Sequence, residues 1–260
     1  MDAVGSLLRW RRLPWIVELI SIGVGYGVYS SIRLLSAQQS RLTASYDHAQ
    51  SVLNVEKATH IFHEVPLNHF LVRHHWLVLF SNYWYATAHF VVTPLVLVWL
   101  FRHRSWAYPM MRSAIVIATV SALVVYATWP LAPPRFVVPD VTDTVMTDPV
   151  IWAKNGAAEF VNEYAAMPSL HVGWAVWCAV ALVAVLRTKW RHLAWLYPIT
   201  TTLVVASTAN HYFLDAAGGV LFVLVALYLC GLRAAHVWHG DRFVAPQVEL
   251  ERTFATASGG

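Results

Sequence analysis

The chain has 260 residues, 58% of them hydrophobic and 12% charged, with a mean hydropathy of +0.51. A soluble domain of this size needs far less apolar surface, so the composition indicates an all-α integral membrane protein. The net charge of +4 comes with no nucleic-acid motif, and its cations sit in short loops between apolar runs, where membrane topology places them.

Six stretches have the length, about 20 residues, that crosses a bilayer as a helix: 14–35, 77–101, 110–129, 170–187, 192–210 and 211–232. Residues 14–232 read as one membrane domain with outer loops at 36–76 and 130–169. Residues 1–13 and 233–260 read as cytoplasmic ends, the second disordered. The first run follows Arg9, Arg11 and Arg12. It is too long for a signal-peptide core and closes on no small-residue cleavage pattern, so it counts as a span.

Between 36 and 76, Val52, Val55, Ile61, Phe62, Val65, Phe70 and Leu71 recur at spacings that suit a helix lying in the membrane interface. His48, His60, His63, His69, His74 and His75 share this stretch, but neither cysteine nor carboxylate spacing matches a zinc signature, and no metal is expected. In the second span Tyr85 and His89 are four apart and share a face. A histidine this deep either serves a functional site or is neutral and hydrogen-bonded to a neighbouring helix; both readings stay open. Cys178 and Cys230 fall in apolar runs and imply no disulfide.

The third span ends in Trp129-Pro130-Leu131-Ala132-Pro133-Pro134-Arg135-Phe136, a proline-rich segment expected to leave the membrane extended and rigid. Arg135 is thereby held in place, and its guanidinium suits two phosphate oxygens at once. The loop that follows carries Asp140, Asp143, Asp148, Glu159 and Glu163, which either hydrogen-bond a polyol or amine headgroup or form a solvated face.

The fourth span opens at Pro168-Ser169-Leu170-His171. Ser169 is placed to cap the helix and His171 to sit in its first turn, where unpaired N–H groups and the helix dipole favour an anion. Asn210-His211-Tyr212-Phe213-Leu214-Asp215 repeats the device at the sixth span, with His211 and Asp215 four apart. If the N-terminus is cytoplasmic, Arg102, Arg104, Arg112, Arg187, Lys189 and Arg191 lie inside, while Arg135, His171 and His211 converge on the outer face. Two histidines, a carboxylate and an arginine are the parts of phosphoryl transfer through a covalent intermediate. Asp215 is spaced to orient His211 as the nucleophile, which leaves His171 as the general acid and Arg135 to neutralise the phosphoryl oxygens.

These motifs resemble the type 2 phosphatidic acid phosphatase superfamily, six-helix membrane enzymes sharing a core with vanadium haloperoxidases. The second motif stands as Pro168-Ser169-Leu170-His171, where many phosphatases have glycine at Leu170, and the third as His211 to Asp215. The first is partial: Thr128 replaces the expected lysine and no proline follows Arg135. Val205 stands where the third motif has arginine. The departures look like the inositolphosphotransferase branch, similar to inositol phosphorylceramide synthases. The resemblance implies a phosphohistidine mechanism without metal or other cofactor, with a membrane lipid as donor and a lipid or polyol as acceptor, at the plasma membrane. With two cations missing, Ser169, Asn210, Tyr212 and His89 are the candidates for added phosphate donors. A lipid phosphate or polyprenyl (di)phosphate phosphatase is the alternative reaction, and a lipid-binding or transport module whose histidines relay protons is the non-enzymatic one.

Overall fold

The computed structural model describes residues 39–144 and 163–231, together with Gly27. The expected first span, both chain ends, and Asp148 and Glu159 of the long loop lie outside the described residues. Two helices, α1 (Gln39–Ala58) and α2 (Glu64–Val72), precede the long apolar helices α3 (His75–His103) and α4 (Tyr108–Thr128). A one-turn helix α5 (Pro134–Val137) leads to α6 (Leu170–Val185), a 3-10 segment (Lys189–Trp195), α7 (Leu196–Ser207) and α8 (Phe213–Leu229). The fold is all-helical; extended pairing among the described residues is a single parallel bridge between Leu131 and Ala165.

Two helices, α3 and α4, are long and apolar enough to cross a membrane. Their 29 and 21 residues cover the expected spans 77–101 and 110–129, and α3 runs on through Pro94 without ending. Phe90, Leu95, Val98 and Phe101 stay exposed on α3, an apolar surface that suits lipid better than water. The apolar helices α6 and α8 are shorter, at 16 and 17 residues. The expected span 192–210 is divided between the 3-10 segment and a twelve-residue α7.

The expected sixth span also starts later than its sequence suggests. After Ser207 the chain curls: Thr208 Oγ1 donates back to Val204 O at 2.8 Å, Ala209 takes a positive φ of 53°, and Val205 O accepts the N–H of both Asn210 and His211 at 3.1 Å. His211 therefore lies in the link before α8 and not in its first turn.

Helix α6 is the centre, packed against α3, α4, α7 and α8. Its Trp177 is fully buried and donates from Nε1 to Met111 O at 2.9 Å, which satisfies the indole's polar atom inside an apolar core. Against α8 the approach is closer. A Cβ added at Gly219 would lie 2.2 Å from Ser169 O and 3.1 Å from Gly173 N, so the two backbones touch where no side chain fits. At the opposite end of α6, Arg104 Nε donates to Val185 O at 3.5 Å, which joins the basic C-terminal end of α3 to Arg187, Lys189 and Arg191. The bundle thus has a basic end and, at the start of α6, a histidine end.

The stretch expected as one interfacial helix forms two, and part of its apolar side covers protein while Val55 and Phe70 stay exposed. Ala49, Val52 and Leu53 of α1 pack with Leu131, Ala132, Val138 and Tyr212. Asn68 of α2 is fully buried; its Nδ2 donates to Thr142 O and Ser207 O at 3.0 and 2.9 Å, and its Oδ1 accepts Thr142 N at 2.8 Å. His48 donates from Nδ1 to Pro130 O at 2.8 Å and stacks on Trp129, while His69 Nε2 serves Asp140 O at 2.7 Å. These imidazoles hold loop carbonyls in place.

Candidate active site

The histidine end is assembled by contact between the starts of α6 and α8. Ser169 caps α6, its Oγ accepting Val172 N at 3.4 Å, and its own N–H donates to Asp215 O at 2.9 Å. Tyr126 of α4 donates its hydroxyl to Pro168 O at 2.5 Å and fixes the turn before the cap. His171 follows in the first turn, as its position after Ser169 predicts. The same docking brings its ring within 5.5 Å of His211, centroid to centroid.

His211 is 4% exposed, and its two nitrogens differ in kind. Nδ1 lies 2.8 Å from Ala166 O and 3.5 Å from Asp215 Oδ2. A carbonyl oxygen can only accept, so Nδ1 carries the hydrogen and Nε2 bears the lone pair. Nε2 is buried and has no hydrogen-bond partner among the described residues. Asp215, fully buried, reaches the ring from the side, and its Oδ2 also accepts Tyr212 N at 2.9 Å. The carboxylate expected to orient His211 shares that task with the Ala166 carbonyl, a backbone group that sequence spacing does not reveal.

His171 is half-buried and enclosed by α3. Tyr85 stacks on it with centroids 4.3 Å apart and planes 19° from parallel, and His89 meets it edge-on at 4.3 Å. His89 Nδ1 makes no hydrogen bond of good geometry among the described residues. Tyr85 also lies 6.5 Å from His211. The sequence places it on the face of His89 but does not single it out as part of the site.

Arg135 is placed differently from expectation. The segment before it is extended, but Pro134 opens a turn of helix, and Arg135 N donates to Ala209 O at 3.0 Å. The side chain is 6% exposed. Its Nη1 donates to Asn210 Oδ1, Nε faces Asp143 Oδ2 at 3.3 Å and Nη2 faces Glu163 Oε1 at 3.5 Å. The guanidinium stands beside the His211 link with two carboxylates and an amide already on it. Asn210, expected as a phosphate donor, is occupied at both ends, since its Nδ2 donates to Thr208 Oγ1 at 2.7 Å. Tyr212, expected likewise, is fully buried in the apolar cluster under α1, and its hydroxyl has no partner among the described residues.

The arrangement can present one imidazole lone pair to an electrophile, offer a second imidazole 5.5 Å away for proton transfer, and set a guanidinium one residue from the first. No group of three or more His, Cys, Asp or Glu side chains among the described residues has the geometry to hold a metal ion. Residues 50–229 match the family model described as the PAP2 superfamily. Neither the curated proteins nor the solved structures searched contain a match to this chain.

Proposed function

We propose a specific reaction for this chain, which belongs to the PAP2 superfamily: transfer of a phosphorylated headgroup from one membrane lipid to a hydroxylated acceptor, through a phosphohistidine on His211. Membership makes the chain an enzyme of the phosphoester-hydrolysing or phosphoester-transferring type, and with its apolar helices a membrane protein. The observation that carries the covalent step is the state of His211: Nδ1 held by Ala166 O and Asp215, Nε2 buried and unpartnered.

In the first half-reaction the Nε2 lone pair attacks phosphorus and the bond to the donor's leaving oxygen breaks. His171 gives that oxygen its proton. In the second, His171 takes the proton of the acceptor hydroxyl, the new P–O bond forms, and the P–N electron pair returns to Nε2. Asp215 stabilises the ring while it is positively charged, and Arg135 lies where the equatorial oxygens gather.

Transfer of a diester fits the charge at the site better than hydrolysis of a monoester. Thr128 and Val205 stand where relatives of the resembled family carry cations, and the remaining guanidinium is paired with Asp143 and Glu163. A dianionic monoester meets two carboxylates and one cation. A diester has one negative charge, and its polyol or other hydroxylated headgroup can donate to the same carboxylates. The test is product analysis with a labelled donor lipid, with and without candidate acceptors. The expected product is a new lipid or headgroup ester that forms only with acceptor; inorganic phosphate from a monoester as the main product would replace transfer by the phosphatase reaction. Binding without turnover of any phospholipid or polyprenyl phosphate would instead favour the lipid-binding module.

We also assign the basic end to the cytoplasm and the histidine end to the outer face of the plasma membrane, on the positive-inside rule. A cysteine at the exposed Asp140 should react with an impermeant thiol reagent applied to intact cells, and one at the exposed Lys189 should not. Labelling at 189 alone reverses the orientation.

A further inference from the structure

Three consecutive N–H groups open α8, and each goes to a different carboxylate. Tyr212 N donates to Asp215 Oδ2 at 2.9 Å, Phe213 N to Glu64 Oε1 at 3.0 Å and Leu214 N to Glu56 Oε1 at 2.8 Å. All three carboxylates are fully buried. Asp215 belongs to the helix it caps, whereas the glutamates arrive from α1 and α2. The N-terminus of α8, which the sequence offers as an anion site, is filled by the protein's own anions.

The glutamates lie against each other, and the second oxygen of each, Glu56 Oε2 and Glu64 Oε2, is buried and makes no hydrogen bond of good geometry to another residue among the described ones. A buried carboxylate without a donor is costly. The donor these oxygens can find is a proton carried by one of the pair. Charge requires the same, because a helix terminus offers only about half a positive charge and Asp215 is already there. Burial pushes the Glu56 carboxyl from 4.5 up to about 8, the Leu214 N–H pulls it down, and the charges of Glu64 and Asp215 add to the rise. Burial raises Glu64 also, and the hydrogen bond between the two carboxyls is where the proton is shared. The titratable groups of the α8 start that face the pair are Asp215 and Tyr212, and burial with these three carboxylates raises the Tyr212 hydroxyl in turn.

We propose that Glu56 and Glu64 are positioning residues for His211: a carboxyl pair sharing one proton that grips the N–H groups of Phe213 and Leu214 and so holds the preceding link, and the His211 ring, against Ala166 and His171. They act through the backbone of α8 and touch no reacting atom. The positioning role rests on the transfer reading of His211; the shared proton does not.

Glu56→Gln is the informative variant, because its amide oxygen can accept Leu214 N while its NH2 replaces the proton given to Glu64. It also removes the titration. A folded-state pKa raised from 4.5 to about 8 means that the native chain holds the proton more tightly than the unfolded one. The stabilisation is therefore complete below 4.5 and lost as pH rises towards 8. With the full-length protein in lipid nanodiscs, wild type should lose Tm between pH 5 and 8.5 and show an alkaline fall in kcat near 8. Glu56→Gln should keep kcat at pH 6.5 within about threefold, with a flatter Tm series and the fall in kcat displaced upward. Glu56→Ala should lower kcat by about tenfold or more at unchanged KM. A Gln variant whose melting series and alkaline fall both coincide with wild type removes the shared proton, and a folded Ala variant with wild-type kcat removes the positioning role. If Ala does not fold, the isosteric Gln decides. If wild type turns over no donor, positioning falls with the transfer reading, and the melting series, which needs no substrate, still tests the pair.

Discussion

Replacing His211 by alanine should abolish turnover, by at least about 10⁴-fold, and should also abolish the trapping of labelled phosphoenzyme. Replacing His171 should abolish turnover of the lipid while leaving phosphoenzyme formation from a donor with a good leaving group, such as a nitrophenyl ester. The asymmetry follows from the surroundings of each ring. His211 has one nitrogen fixed by Ala166 O and Asp215 and the other buried without a hydrogen-bond partner among the described residues, whereas His171 is stacked on Tyr85 and met edge-on by His89. Acid chemistry matters least when the leaving group needs no proton. Rapid-quench labelling of both variants decides the assignment, and phosphoenzyme in His211→Ala but not in His171→Ala would exchange the two roles.

The second large effect should come from a residue with no chemistry. Gly219→Ala puts a methyl group 2.2 Å from the Ser169 carbonyl, which is backbone and cannot swing aside. Alanine in a helix gains about 1 kcal/mol over glycine, but overpacking costs about 1–3 kcal/mol and more where backbone must move. The displaced contact carries the Ser169 N–H to Asp215 O bond, which aligns the two histidines. We expect a fall in Tm of about 5 °C or more together with a loss of activity of about 100-fold, since a shift on the order of 1 Å at reacting groups has that effect. Gly218→Ala is the control. Its Cβ would meet the Pro168 Cβ at 3.4 Å, an ordinary contact, and Tm should be unchanged or slightly raised. Equal melting of Gly219→Ala and wild type would show that α6 and α8 are not in backbone contact.

Much of this was legible in the sequence where the signal is local. Hydropathy and length place α3 and α4, and the Ser169 cap places His171, because helix formation and capping depend on neighbours within a turn. The start of α8 lies two residues beyond its expected place because the curl from Thr208 to His211 is made mainly by backbone bonds to Val204, Val205 and Ala206, which hydropathy does not register. Arg135 is visible as a cation, but its partners Asp143 and Glu163 are not, since a charge in a loop does not state what it faces. Tyr212 reads as a site donor from its place in the motif, yet its ring turns under α1 into the cluster of Ala49, Val52, Leu53 and Leu131. Glu56 and Glu64 belong to no motif and are not singled out by the sequence. Their burial is decided by residues near the other end of the chain.

The bond between Glu56 and Leu214 joins residues 158 positions apart. At about 5–20 residues per second, the ribosome needs roughly 8–30 s to supply the second after the first. During that interval the N–H groups that Glu56 and Glu64 grip in the folded chain have not yet been made. On the proposed role of His211, the centre is complete only once the start of α8 has docked on Glu56 and Glu64. A chain cut before residue 211 lacks the proposed nucleophile, and one cut before Phe213 lacks the N–H groups that the two glutamates hold.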